Sequence, residues 1–141
     1  MSNSTIATLT HIQPADLATH LRSDTRSKTS IIDVRDVDYI GGHIKGCQNV
    51  PTQTHDHAMP ELVRQLKDQE MVVFHCVLSQ QRGPRSALRY MRERERLGVD
   101  GSQKVVVLEG GFQRWQEMYG EDKDLTEGYQ KDLWESGDFH H

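Results

Sequence analysis

The sequence contains no long hydrophobic run, and no apolar stretch among its 141 residues approaches the length that crosses a bilayer. Its beginning, from Met1 to Thr5, is polar and lacks the apolar segment of a signal peptide. Cysteine is scarce as well, and two cysteines in a chain without a secretory signal indicate free thiols in a reducing compartment. We therefore expect a soluble protein of the cytoplasm, with the nucleus as an alternative location, and no membrane partner.

An excess of positive charge is also absent. The chain has 17 Lys and Arg residues against 21 Asp and Glu residues, a formal net charge of −4. Nucleic-acid binding needs broad basic patches, so no nucleic-acid partner is expected. His55 and His57 flank Asp56, but no third or fourth ligand follows at the spacing of a zinc site. The sequence therefore predicts no bound metal and no cofactor.

The apolar residues present fall into short runs that alternate with helix-like stretches. Three unbroken runs are typical of buried parallel strands: 31–34, 71–74 and 105–108. Amphipathic patterns follow Pro14, Pro60 and Pro84, and proline favours the first position of a helix. The polar segments 22–30, 51–60 and 98–103 are expected to be surface loops. This alternation predicts one α/β domain, with a central parallel sheet and helices on both faces.

The most informative stretch follows the second of these runs. Cys76 comes two residues after the end of that run, Arg82 follows six residues later, and Gly83-Pro84 can open a helix. Positive charge from an arginine and a helix N-terminus favours the thiolate form of a cysteine. The loop between the strand and the helix also lies where parallel sheets bind ligands. We therefore expect Cys76 to be a catalytic nucleophile and Arg82 to bind an oxyanion, rather than a buried structural thiol and a surface arginine.

The residues between Cys76 and Arg82 are expected to bind an oxyanion through backbone N–H groups: Val77, Leu78, Ser79, Gln80 and Gln81. The Ser79 hydroxyl either donates to the thiolate or bonds only to local backbone. His75 is expected to stabilise the loop through a hydrogen bond and is not assigned as a base. Arg85 begins an arginine stripe that is either a solvated helix face or, near the loop, a source of attraction for anions.

Several motifs in order make the chain similar to the rhodanese-fold superfamily, and within it to the branch of cell-division-cycle dual-specificity phosphatases and arsenate reductases. The motifs are Ile31-Ile32-Asp33-Val34-Arg35, Gly41-Gly42-His43-Ile44-Lys45-Gly46, Asn49-Val50-Pro51, the Cys76 loop and Leu108-Glu109-Gly110-Gly111-Phe112 with Trp115. The resemblance covers residues 8–118, the predicted catalytic domain. Residues 1–7 are expected to form a flexible arm. Residues 119–141, which resemble those of small fungal members, are expected to dock through Tyr129, Leu133 and Trp134; His140 and His141 are either native or a tag remnant.

The resemblance implies a cysteine-dependent phosphatase that forms a phospho-cysteine intermediate on a phosphoprotein or a small oxyanion. The Cys76–Arg82 loop matches the longer loop of these enzymes, because sulfurtransferases of the superfamily usually have one residue fewer. Arsenate reduction with glutathione or a glutaredoxin as the reductant is the alternative. Sulfur transfer or binding of an oxyanion without catalysis comes third.

The related phosphatases often have glutamates in the loop where this chain has Val77 and Gln81, so the general acid is not evident. Glu109, at the end of the last strand, is a candidate acid or a structural residue, and Asp56 is a weaker candidate. Without an acid in the loop, the sequence predicts a slow phosphatase that prefers aryl phosphates with good leaving groups.

Other residues in the matching motifs are interpreted as structural. Asp33 and Arg35 are expected to form a hydrogen-bonded pair, and His43 marks the fold. Cys47 stands where relatives commonly have alanine, which favours a packed residue over a thiol that resolves oxidised Cys76. The extra protective cysteine of the related phosphatases falls at Val34 here, so Cys76 is expected to be less protected against over-oxidation.

Overall fold

The computed structural model describes residues 5, 8–99 and 101–136. Within these residues a parallel five-stranded sheet forms the centre of the molecule, in the order β1–β6–β5–β2–β4. Its strands are β1 (Thr10–Ile12), β2 (Thr29–Asp33), β4 (Gln48–Asn49), β5 (Met71–His75) and β6 (Lys104–Leu108). The predicted α/β architecture with a central parallel sheet is confirmed.

Helices cover both faces of this sheet. They are α1 (Pro14–Leu21), α2 (His55–Gln65), α3 (Arg82–Arg96), α4 (Gly111–Tyr119) and α5 (Lys131–Ser136), with short 3₁₀ helices at Asp24–Lys28 and Thr52–Thr54. A second, two-stranded antiparallel sheet joins β3 (His43–Ile44) to β7 (Thr126–Glu127). No helix of the described segments is long and apolar enough to cross a membrane.

The two faces of the sheet carry separate apolar cores because side chains alternate along each strand. In β5, Val72 and Phe74 pack with the buried residues of α2 and α3. Met71 and Val73 point to the opposite face, where α1, α4 and α5 contribute their apolar residues. All five residues of β5 are buried, which explains the unbroken apolar run read from the sequence.

Two predicted helix starts and two predicted loops are wrong. Helix α2 begins at His55, so the expected loop 51–60 is mostly helical and Pro60 lies inside the helix. Helix α3 begins at Arg82, which places Pro84 third rather than first. That position tolerates proline, because the first turn of a helix leaves its N–H groups without helical partners. The expected loop 22–30 contains a 3₁₀ helix and the start of β2.

The segment after α4 lies against the body of the domain. Trp134 is buried, its indole N–H donates to the Gly41 carbonyl at 2.9 Å, and its ring lies 5.3 Å from that of Phe112. The Tyr129 hydroxyl donates to the Gln116 side-chain oxygen. The arm predicted for residues 1–7 lies outside the described residues except for Thr5, and His140 and His141 lie outside them entirely.

Candidate active site

Cys76 lies at the carboxyl edge of the parallel sheet, directly after β5. Its side chain is almost fully buried and opens onto a cavity of about 300 Å³. The cavity is lined by Cys76, Val77, Leu78, Gln80, Gln81 and Arg82. We call residues 76–82 the cysteine loop. The sheet and the start of α3 thus place a thiol and a guanidinium on one small cavity.

The carbonyl groups at the start of the cysteine loop accept hydrogen bonds from the first turn of α4. The Phe112 N–H donates to the Cys76 carbonyl at 3.0 Å, and the Gln113 N–H donates to the Val77 carbonyl at 2.9 Å. In a trans peptide the N–H points opposite to the preceding carbonyl. The N–H groups of Val77 and Leu78 therefore point away from α4. This arrangement frees backbone donors for an anion.

His75 supports the same carbonyl from within the core. It is fully buried, and its Nδ1 lies 3.0 Å from the Cys76 carbonyl oxygen, which assigns the Nδ1–H tautomer. Burial lowers the pKa of His75 below its ordinary value, with a smaller opposing effect from Asp33. His75 is therefore neutral and structural, as the sequence predicts.

Ser79 contacts the sulfur through its backbone rather than its side chain. Its N–H donates to Cys76 Sγ at 3.2 Å. The hydroxyl is buried and has no hydrogen-bond partner in the described part of the chain. Ser79 also has a positive φ of 57°, a conformation that costs energy for a residue other than glycine. This strain aims an N–H at the thiol sulfur and leaves one hydroxyl available inside the loop.

Arg82 forms ion pairs with two carboxylates of the segment that follows β2. Its Nη1 donates to Asp38 Oδ1 at 2.8 Å and to Asp36 Oδ2 at 3.3 Å, and its Nη2 donates to Asp38 Oδ2 at 2.5 Å. The hydrogen bond to Asp38 raises the pKa of Arg82 further above its ordinary value, and the same bond lowers the pKa of Asp38. Arg82 is therefore a permanent cation at the cavity.

A second ion pair lies buried beneath the loop. The Arg35 guanidinium donates to Asp33 from Nε at 3.0 Å and from Nη2 at 2.8 Å, and both side chains are fully buried. Arg35 also lies 4.7 Å from the ring centroid of Phe112, in α4. The predicted hydrogen-bonded pair of Asp33 and Arg35 is confirmed, and it connects β2 to the helix that supports the cysteine loop.

Other predicted candidates do not line the cavity. Glu109 is 43% exposed and pairs with His11 at 2.8 Å, while Asp56 is exposed and pairs with Arg89. Arg85 is exposed in the first turn of α3. None of these three residues lines the cavity. The described residues that do line it include no carboxylic acid.

Cys47 lies in the other apolar core, beside Tyr39. Its sulfur is 3.8 Å from the Tyr39 hydroxyl, and both cysteines of the chain are free thiols. Burial, aided by the charge of Asp33, raises the pKa of Cys47 to about 12. Because thiolates are the reactive form, this thiol is unreactive near neutral pH.

Asp36 and Asp38 are the site residues that the sequence analysis missed. A usable signal was present, because both carboxylates follow the end of β2, and neighbouring parallel strands end at the same edge of a sheet. Their contact with Arg82 spans 44 and 46 residues of sequence. No three His, Cys, Asp or Glu side chains gather as a possible metal site in the described ranges.

Comparison with known proteins identifies a family and several relatives that the chain resembles. Residues 13–118 match the model of the Rhodanese-like domain family. The chain is 34% identical to the CDC25-like phosphatase YCH1 of Saccharomyces cerevisiae, over 95% of this chain and 99% of that protein. It is 31% identical to the dual specificity phosphatase ibp1 of Schizosaccharomyces pombe, over 86% of this chain and 99% of that one.

One solved structure that is not named a phosphatase is also similar to this chain. The As-Sb reductase from Leishmania major superimposes with a TM-score of 0.78 at 30% identity, covering 92% of this chain and 99% of that one. Two proteins named phosphatases and one named an As-Sb reductase are therefore similar to this chain over most of its length.

Proposed function

This chain belongs to the Rhodanese-like domain family, and from that membership we propose that it is a cysteine-dependent phosphatase of the phosphotyrosine or dual-specificity type. The observation that supports the proposal is the joint exposure of Cys76 and Arg82 to one cavity of about 300 Å³. The two relatives named as phosphatases match this chain over nearly their whole length. The substrate would be a phosphoprotein or another phosphate ester.

The proposed reaction has two displacement steps at phosphorus. The Cys76 thiolate attacks the phosphorus atom, so that a P–S bond forms, the ester P–O bond breaks, and the alkoxide or phenoxide leaves with the electron pair. Water then attacks the phospho-cysteine, which releases inorganic phosphate and regenerates the thiol. In both steps backbone N–H groups of the loop and Arg82 stabilise the equatorial oxygens.

Leaving-group chemistry limits the rate of the first step. A positioned general acid typically contributes about 10²–10⁴-fold, and no carboxylic acid of the described residues lines the cavity. A phenoxide with electron-withdrawing substituents departs without being protonated, whereas a serine alkoxide does not. The proposed enzyme is therefore slow, and it favours aryl phosphates over alkyl phosphates. Glu109 and Asp56 would act as acids only if the surrounding segments moved.

The decisive experiment is hydrolysis of p-nitrophenyl phosphate under reducing conditions by the wild type and by Cys76→Ser. The proposal predicts turnover by the wild type and none by the variant, because a serine hydroxyl in this loop is not ionised near neutral pH. Cys47→Ser is the matched control and should keep the wild-type rate. Hydrolysis that survives in Cys76→Ser, or its absence in the wild type, would contradict the proposal.

Arsenate reduction is the second candidate, favoured by the lack of an acid at the cavity and by the likeness to the Leishmania major reductase. In that reaction the Cys76 thiolate attacks arsenate and displaces hydroxide. Thiols such as glutathione, with a glutaredoxin, then supply the two electrons that reduce As(V) to As(III) and become a disulfide. Arsenate-dependent consumption of glutathione, lost in Cys76→Ser, would support this function.

A further inference from the structure

The contacts of Arg82 use one edge of its guanidinium and leave another edge free. A guanidinium carries five N–H donors, one on Nε and two on each Nη nitrogen. Asp38 binds end-on across Nη1 and Nη2, and Asp36 takes the remaining Nη1 donor. The Nε–H and the second Nη2–H have no partner among the described residues, and they lie on the same side of the planar group. That edge is the one that binds an oxyanion in a bidentate manner.

The two carboxylates are themselves held in place. Asp36 accepts hydrogen bonds from the Thr52 hydroxyl at 2.6 Å and from the Gln53 N–H at 3.2 Å. Asp38 accepts from the Asp36 N–H at 3.0 Å. Asp36 is 15% exposed and Asp38 is 25% exposed. Both carboxylates are therefore held by donors other than Arg82.

We propose that Asp36 and Asp38 are positioning residues that fix the end of Arg82 and present its free edge to an oxyanion beside Cys76. A free arginine side chain samples many rotamers, and ordering it at the moment of binding reduces affinity. Asp36 and Asp38 order the Arg82 side chain before the oxyanion binds. The inference rests on the proposed function only in taking a tetrahedral oxyanion as the ligand.

The direction in which anion affinity changes when a carboxylate is removed separates a positioning role from simple charge repulsion. Two carboxylates close to an anion site repel the anion, so removal of one negative charge without any positioning role would tighten binding. Loss of positioning weakens binding instead. A carboxylate that competed with the anion for Arg82 would also give tighter binding once it was removed.

The test measures binding of inorganic tungstate, a tetrahedral dianion, by isothermal titration calorimetry in the Cys76→Ser background, where no covalent step can occur. Asp38→Asn should raise the dissociation constant about tenfold, since it removes the bidentate charged partner, and Asp36→Asn should raise it about threefold. Asp38→Glu keeps the charge and should recover much of the affinity. Asp68→Asn is the control, because Asp68 is exposed in the turn before β5, at the opposite end of that strand from Cys76.

A second measurement excludes mere damage to the fold. With Cys76 intact, Asp38→Asn should raise KM for p-nitrophenyl phosphate more than it lowers kcat, whereas partial unfolding would lower kcat and leave KM unchanged. Tighter tungstate binding in Asp38→Asn, or unchanged binding in both Asn variants, would overturn the proposal. Absence of tungstate binding in the Cys76→Ser parent would also overturn it, while the hydrolysis assay separately decides the proposed function.

Discussion

Gly111 lies so close to Val77 that a Cβ atom on Gly111 would be 2.3 Å from the Val77 carbonyl oxygen. The same atom would be 2.7 Å from the Cys76 carbonyl oxygen, and Gly111 has a φ of +59°. The close approach allows the first N–H groups of α4 to reach the carbonyls of the cysteine loop. A glycine in the motif that follows β6 therefore shapes a loop more than 30 residues earlier in the sequence.

We predict that Gly111→Ala will abolish both tungstate binding and hydrolysis, and will lower the free energy of unfolding by about 3 kcal/mol, from backbone strain and the clash together. Gly98→Ala is the matched control. Gly98 also has a positive φ, +68°, but nothing lies within 4 Å of its missing Cβ. Gly98→Ala should lower the free energy of unfolding by only about 1 kcal/mol and keep its activity. Urea unfolding and the hydrolysis assay would measure both, and an active Gly111→Ala variant would contradict the proposed support.

The main strands and the cysteine loop were predictable because their signals are local. Strands β2, β5 and β6 each span five residues and contain at least two consecutive buried apolar residues, which give a local signal. Strands β3 and β4 contain only two residues each, too few for any periodicity. Their positions depend on pairing with distant strands, which a single sequence does not display.

The wrong predictions have the same origin, because they concern positions that carry no local signal in the sequence. Pro60 was expected to start a helix, yet α2 starts at His55 with a polar first turn that carries no apolar period. Proline inside a helix removes a backbone hydrogen bond and crowds the preceding turn, yet α2 continues past Pro60 and buries Met59, Leu62 and Val63. The spacing of Cys76 and Arg82 is a local signal, and the structure places both residues on one cavity. Asp36 and Asp38 were missed because only the sheet brings them to Arg82.

Removal of one partner from the buried Asp33–Arg35 ion pair should be among the most destabilising changes in the protein. Asp33→Asn would leave the Arg35 guanidinium buried without the carboxylate that compensates its charge. We expect a loss of about 3–5 kcal/mol in the free energy of unfolding, measured by urea denaturation. Glu61→Gln, which breaks an exposed pair with Arg64 in α2, is the control and should have no measurable effect. A small effect at Asp33 would show that Arg35 finds other compensation.

The protein should lose stability as the pH falls below about 6.5. Burial lowers the pKa of His75 and of His55, whose ordinary value is 6.5, so the unfolded chain binds protons there that the folded chain does not. Acidification therefore stabilises the unfolded state relative to the folded state. Each histidine lowers the free energy of unfolding by at most about 1.4 kcal/mol per pH unit. His55→Gln should reduce the slope of unfolding free energy between pH 6.5 and 5, measured by urea titration.

The control for that titration is His57→Gln, two residues further along α2 and exposed to solvent. It should keep the wild-type slope, because this substitution leaves the buried imidazoles of His55 and His75 in place. An equal slope in His55→Gln and the wild type would mean that His55 takes up its proton without loss of folding energy. The difference between the two variants, rather than either curve alone, reports the effect of burial.

Cys47 should fail to protect Cys76 when the enzyme is treated with hydrogen peroxide. Disulfide formation needs a thiolate to attack the sulfenic acid on Cys76, and a pKa of about 12 keeps Cys47 protonated at pH 7.5. We expect mass spectrometry to show Cys76 advancing to the sulfinic acid at the same rate in the wild type and in Cys47→Ser. Tyr39→Phe, which removes the hydroxyl beside the Cys47 sulfur, should not change this result. An intramolecular disulfide as the main product would identify Cys47 as a resolving thiol after all.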